Sequence, residues 1–291
     1  MKIALHAGTH CTDEGRIART LLRNRDDFLA EKISVPPLSN YHVLLREAIH
    51  ALDHTAPAED SQEVLLDAIL QTDEAERIIL TNENIFGTPR MAMKFGQFYP
   101  QAEDRIGALR QLMPEVEMEL FLAIRDPGSF IPAVHAMSGR VPLHAVLNES
   151  DPGTLRWSHL IERIREAEPD IPITVWCNED SPLIYGDLIR RMAGLPEDAR
   201  IKGAFDLLSE IMSTEGMKRF RTYWAENPTM NEDQKRRAIT AFLKKYAIEE
   251  KVEEELDLPP WPEELFEYLT DAYEEDAEAI AKMDGVTLLT P

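Results

Sequence analysis

Residues 6–16 read H-A-G-T-H-C-T-D-E-G-R. Within this stretch lie two imidazoles (His6, His10), a thiol (Cys11), two hydroxyls (Thr9, Thr12), two carboxylates (Asp13, Glu14) and a guanidinium (Arg16). Ile3-Ala4-Leu5 precede it and a helical pattern follows, so the segment reads as strand, turn, helix. A turn of that kind can hold an anion. Backbone N–H groups converge there, and the helix N-terminus carries partial positive charge. The nucleoside-triphosphatase pattern G-x-x-x-x-G-K-[ST] is absent. The competing reading is a capped helix, with Thr12 or Asp13 as N-cap and the acidic pair favoured by the helix dipole. His6 and His10 are four residues apart with no evident third ligand, so no metal is expected. There is no G-x-S-x-G nucleophile elbow, and neither Cys11 nor Cys177 has an evident catalytic partner.

The elements that must position these groups alternate along the chain. Residues 2–6, 77–81, 117–124 and 172–176 read as buried strands, and 286–289 as a last short one. Helices are predicted over 14–24, 43–52, 62–71, 105–112, 155–168, 185–193, 205–211, 215–224, 232–255 and 263–282. Apolar strands alternating with helices imply a three-layer α/β sandwich around a parallel sheet of about four or five strands. Residues 1–291 form a single domain on this reading, with the core over about 1–195 and a helical C-terminal part over 196–291. In open α/β sheets ligands sit at the carboxyl ends of the strands. The turns to watch are therefore 6–16, 82–88, 125–129 and 177–182.

Bulk properties narrow the classes. Net charge is −22, and residues 249–278 hold fourteen carboxylates against one cation, Lys251. Nucleic-acid surfaces and anionic membranes both call for basic patches, so neither is an expected partner. The acidic stretch reads as a solvated helix face, because Leu265, Leu269, Ala272, Tyr273 and Ala277 recur at helical spacing. Lys218, Arg219 and Arg221, then Lys235, Arg236 and Arg237, read the same way. No apolar run approaches the roughly 18 residues of a membrane span, and two cysteines make no disulfide scaffold. A cytoplasmic protein is expected; nothing in the sequence fixes an oligomeric state.

The order of these turns resembles the sulfotransferases. Their first turn has the form His-x-Gly-x-x-Lys-[Thr/Ser]-Gly-[Thr]-[Thr/Ser], and this chain keeps His6, Gly8, His10, Thr12 and the helix running to Arg23–Phe28. The resemblance implies a phosphate-binding-loop fold of the sulfotransferase type. It also implies 3′-phosphoadenosine-5′-phosphosulfate as donor and a hydroxyl acceptor, carbohydrate among the choices. The donor would be held by Gly8, Thr9, Cys11, Thr12, Gly15, Arg16 and Arg125. Glu83, in T-N-E-N after the second strand, or His10 would take the acceptor's proton. Arg125-Asp126-Pro127 resembles the start of the family's 3′-phosphate site, and M-A-G-L at 192–195 the end of its fourth-strand helix. The departures are equally specific. Cys11 stands where the family has its lysine, Asp13 and Glu14 where it has Gly-Thr, and Ala133 where its second phosphate ligand, a serine, belongs. They favour the alternative of a catalytically inactive ligand- or protein-binding module on the same fold.

Overall fold

The computed structural model describes residues 1–70, 74–148, 150–252 and 256–291. In chain order its elements are β1 (Lys2–His6), α1 (Arg16–Arg23), α2 (Arg25–Ala30), β2 (Ile33–Ser34), α3 (His42–Ala51), α4 (Ser61–Ile69) and β3 (Arg77–Thr81). Next come β4 (Met93–Lys94), β5 (Gln97–Phe98), α5 (Ala102–Leu112), β6 (Glu117–Ile124), α6 (Pro127–Met137), α7 (Leu143–Leu147), α8 (Trp157–Ala167), β7 (Ile173–Cys177) and α9 (Ser181–Ala193). The chain closes with α10 (Asp206–Ile211), α11 (Thr214–Glu226), α12 (Glu232–Tyr246), α13 (Glu249–Val252), α14 (Glu263–Ile280) and β8 (Val286–Leu289).

Six strands form one parallel sheet in the order β2-β3-β1-β6-β7-β8, so β1 lies inside it between β3 and β6. The chain leaves β1 toward β3 and later crosses to β6 on its other side, which puts the topological switch beside β1. The alternation of β1 sets the two faces. Ile3 and Leu5 point into a core shared with α3, α4, α5, α6, α8 and α14. Ala4 points the other way, among Ile17 and Leu21 of α1, Phe28 of α2 and Leu188 of α9. A third, smaller cluster of Leu208, Met212, Met217, Phe220 and Ile239 ties α10, α11 and α12 together outside the sheet.

The sheet has one strand more than the upper expectation, because β2 is only two residues long and leaves no period in the sequence. β8 pairs with β7, so the helical C-terminal part is an excursion between two neighbouring strands and the chain returns to the core. The helix predicted over 232–255 ends at Tyr246, where Ala247 turns extended and bridges Met212. Predicted helical residues 71 and 253–255 lie outside the described residues. α14 exposes its acidic face and buries Leu269, Ala272 and Tyr273, as its spacing predicts. It also buries Asp276, whose carboxylate accepts the N–H groups of Trp157 and Ser158 and so closes the N-terminus of α8. No helix is long and apolar enough to cross a membrane, among the described residues.

Candidate functional site

The turn between β1 and α1 is compact and left-handed. Gly8, Cys11, Glu14 and Gly15 all take positive φ, at 56°, 59°, 49° and 72°. For Gly8 the reason is close approach: a Cβ there would meet the Glu83 backbone at 3.1 Å. Side chains hold the strained path. Thr9 Oγ1 donates to the carbonyl of Ala123 on β6 at 2.8 Å, and Thr12 Oγ1 donates to the Thr9 carbonyl at 2.7 Å.

His10 is fully buried against Tyr99. Its backbone N–H donates to Tyr99 Oη at 3.0 Å, Nδ1 lies 2.8 Å from the same oxygen, and Nε2 lies 3.4 Å from Asn84 Oδ1. Asn84 Oδ1 only accepts, so Nε2 carries the proton and Nδ1 takes the Tyr99 hydroxyl hydrogen. Burial lowers the ring's proton affinity, partly countered by the Asn84 bond. The lone pair of His10 is thus spent on Tyr99, and the ring anchors the turn.

The carboxylate of Asp13 decides the electrostatics. Asp13 Oδ2 accepts the N–H of Ile17 at 3.0 Å, and the Asp13 carbonyl accepts the N–H of Arg16 at 2.8 Å. Gly15 occupies the N-cap position, and Asp13 supplies the acceptor from two residues upstream. The place where a helix N-terminus would receive a foreign anion therefore holds the chain's own. Arg16 is engaged as well: its Nε donates to Glu210 Oε2 at 2.9 Å, and its guanidinium also pairs with Glu14 at 2.9 Å. Arg125, buried at the end of β6, donates from Nε to Ser129 Oγ at 2.9 Å and from its guanidinium to the Cys11 carbonyl.

At the carboxyl ends of β1, β6 and β7 a cleft of about 270 Å³ opens. Cys11, Thr12, Arg16 and Arg125 line it, as do Asp13, Glu14, Asn178, Ser181 and Tyr185. Gly8, Thr9, Gly15, His10 and Glu83 are outside the lining: the glycines shape the turn, and Glu83 lies behind it against Gly8. Glu83 is half-buried, and burial first, then the nearby Asp13 charge, raise its proton affinity. The turn after β7 is a staple. Glu179 accepts the Asp126 N–H at 3.1 Å and the Tyr273 hydroxyl at 2.9 Å. Cys11 and Cys177 are not joined in a disulfide, and Cys11 Sγ lies 3.1 Å from Met137 Sδ; burial pushes the Cys177 thiol up to about 11. Among the described residues no three His, Cys, Asp or Glu side chains converge to hold a metal ion.

No family model matches this chain, and comparison with curated proteins and with solved structures gives no match. The functional reading rests on geometry. Sequence spacing did not reveal four contributors to it. Tyr99 and Glu210 engage the turn from 89 and 194 residues away. Lys251 and Val252 of α13 complete the cleft from inside the acidic stretch. The basic run on α12, by contrast, is not uniformly solvated. Arg236 is mostly buried, paired with Asp187 at 3.2 Å, and Lys235 bonds Glu232 at 2.6 Å.

Proposed function

We propose that this chain is a sulfotransferase-like binding module. Its cleft at the ends of β1, β6 and β7 takes a small ligand, and the turn after β1 does not hold a donor phosphate. One observation carries this reading: the Asp13 carboxylate already accepts the Ile17 N–H at the start of α1. A phosphate there would displace it and meet two carboxylates at close range. The lysine that would offset them is Cys11. The cleft volume, about 270 Å³, is just under the roughly 300–1,000 Å³ of pockets for drug-sized ligands. The net charge of −22 supports a protein without nucleic-acid partners, and a sequence with only two cysteines supports a cytoplasmic one.

The test is a thermal titration with 3′-phosphoadenosine-5′-phosphate. A ligand of the folded state raises the melting temperature in proportion to RT ln(1 + [L]/Kd). The expected result is no shift up to millimolar nucleotide. A rise with a micromolar midpoint would replace this reading with sulfuryl transfer from 3′-phosphoadenosine-5′-phosphosulfate to a hydroxyl, carbohydrate included. What favours that second reading is the presence of three cations, Arg16, Arg125 and Lys251, around one cleft. The acceptor would then have to reach Glu83 or His10 behind the turn.

A further inference from the structure

The charges around the cleft are not equally available. Glu14 pairs with Arg16, which also holds Glu210. Asp13 is spent on the Ile17 N–H. Arg125 is held by Ser129 and the Cys11 carbonyl. Lys251 differs. It is exposed, it lines the cleft, and it makes no ion pair or side-chain hydrogen bond with any described residue. Two neutral polar groups share that condition. The Asn178 amide and the Ser181 hydroxyl, both half-buried in the lining, have no hydrogen-bond partner among the described residues. The lining also has apolar members, Ile17, Leu188, Leu207 and Val252, of which Val252 is 56% exposed.

A cation and two polar side chains with no side-chain partner among the described residues share one small cavity with apolar lining. Resting on the reading that the cleft is the binding site, we infer that its ligand is a small amphiphilic monoanion. A single carboxylate or sulfonate meets Lys251, Asn178 and Ser181, and an apolar body lies against Leu207 and Val252. Polyanions are disfavoured. Arg16 is already neutralised by Glu14 and Glu210, the buried Arg125 guanidinium is engaged by Ser129 and the Cys11 carbonyl, and a second negative charge would face Asp13 and Glu14. The acidic stretch thus gains a role at one position: α13 delivers the one lysine of residues 249–278 to the cleft.

Two fluorescent probes of similar shape separate charge from apolar contact. One is 8-anilinonaphthalene-1-sulfonate, a monoanion; the other is neutral N-phenyl-1-naphthylamine. The full chain should bind both, the anion more tightly. Val252→Asp should weaken both. Lys251→Ala should weaken the anion about tenfold, as expected for a lost charge-assisted contact, and Lys251→Glu should weaken it further, with the neutral probe unmoved. Lys244→Ala, on α12, should change neither. If Val252→Asp weakens both probes but Lys251→Glu does not separate them, or if Lys244→Ala acts like Lys251→Ala, the monoanion inference fails while the cleft stands. If neither probe binds, or Val252→Asp has no effect on either, the cleft fails as a binding site and the inference falls with it.

Discussion

The turns after β1 and β6 both lead from a strand inside the sheet into a helix, and each gives that helix N-terminus a carboxylate of the chain. After β6 the solution is unstrained. Asp126 is itself the N-cap, its side chain accepts the Gly128 N–H at 2.7 Å, and Pro127 follows at the first helical position. No residue of that turn takes positive φ. After β1 the carboxylate comes from Asp13, two residues before the cap, over a path with four left-handed residues. Two of these, Cys11 and Glu14, are not glycine, and each costs about 1–2 kcal/mol in that conformation. Thr9, Thr12 and His10 offset the cost through hydrogen bonds. Strain held in place by its surroundings gathers where a fold has a task to perform. The comparison therefore marks the β1 turn as the specialised one. On the proposed reading its task is to wall the cleft, which Cys11, Thr12, Asp13 and Glu14 line.

The comparison breaks most sharply at Gly8. Gly8→Ala puts a Cβ at positive φ and 3.1 Å from the Glu83 backbone. A loss of about 2–3 kcal/mol in urea unfolding is expected, and a loss under 0.5 kcal/mol would show that the turn is not over-determined. Tyr99→Phe comes next. It strips the hydroxyl from the His10 N–H and Nδ1 in a buried site, with an expected cost of about 2 kcal/mol. The same change at Tyr268, which is half exposed, should cost almost nothing. Asp126→Ala should cost about 1 kcal/mol as an ordinary lost cap. If Asp13→Ala proves equally costly and does nothing else, the two turns are equivalent and the contrast drawn here is wrong.

The smallest effect is one of pH. His6 and His10 are buried, and burial lowers both below their ordinary value of 6.5. The unfolded chain then binds protons that the folded chain refuses. Their contribution is present in full above about pH 6.5 and is lost as pH falls toward the folded values. Glu83, raised above 4.5, has the opposite sign, and its contribution disappears as pH rises through its folded value. Urea midpoints measured from pH 8 down to 6 should decline below about 6.5; a rise over that interval would contradict the buried, neutral imidazoles.

Much of the sheet was legible because its strands are continuous apolar runs. The bounds of β1, β3 and β6 follow from R-I-I-L-T, E-M-E-L-F-L-A-I and their like. α6 was not legible. P-G-S-F-I-P-A-V-H-A-M is apolar on nearly every side and carries Pro132 inside, so it shows no amphipathic stripe. The turn after β1 was legible as a place, and Thr12 and Asp13 as rival caps. The outcome between them depends on the left-handed path, which only the folded backbone defines. Lys251 lay hidden in a run of carboxylates, where local charge suggests a solvated face. Its meaning comes from the end of α12, where the extended Ala247 turns the chain back toward the cleft.

The central claim is that the helix after β1 is closed by the chain's own carboxylate. Its most direct test is calorimetric titration of 3′-phosphoadenosine-5′-phosphate into two proteins side by side. One is the native chain, and the other carries Cys11→Lys, Asp13→Gly and Glu14→Thr together. The account predicts no heat of binding for the native chain at millimolar nucleotide and measurable affinity once Asp13 is removed and a lysine supplied. Binding by the native chain, with equal or weaker affinity in the triple variant, would contradict it.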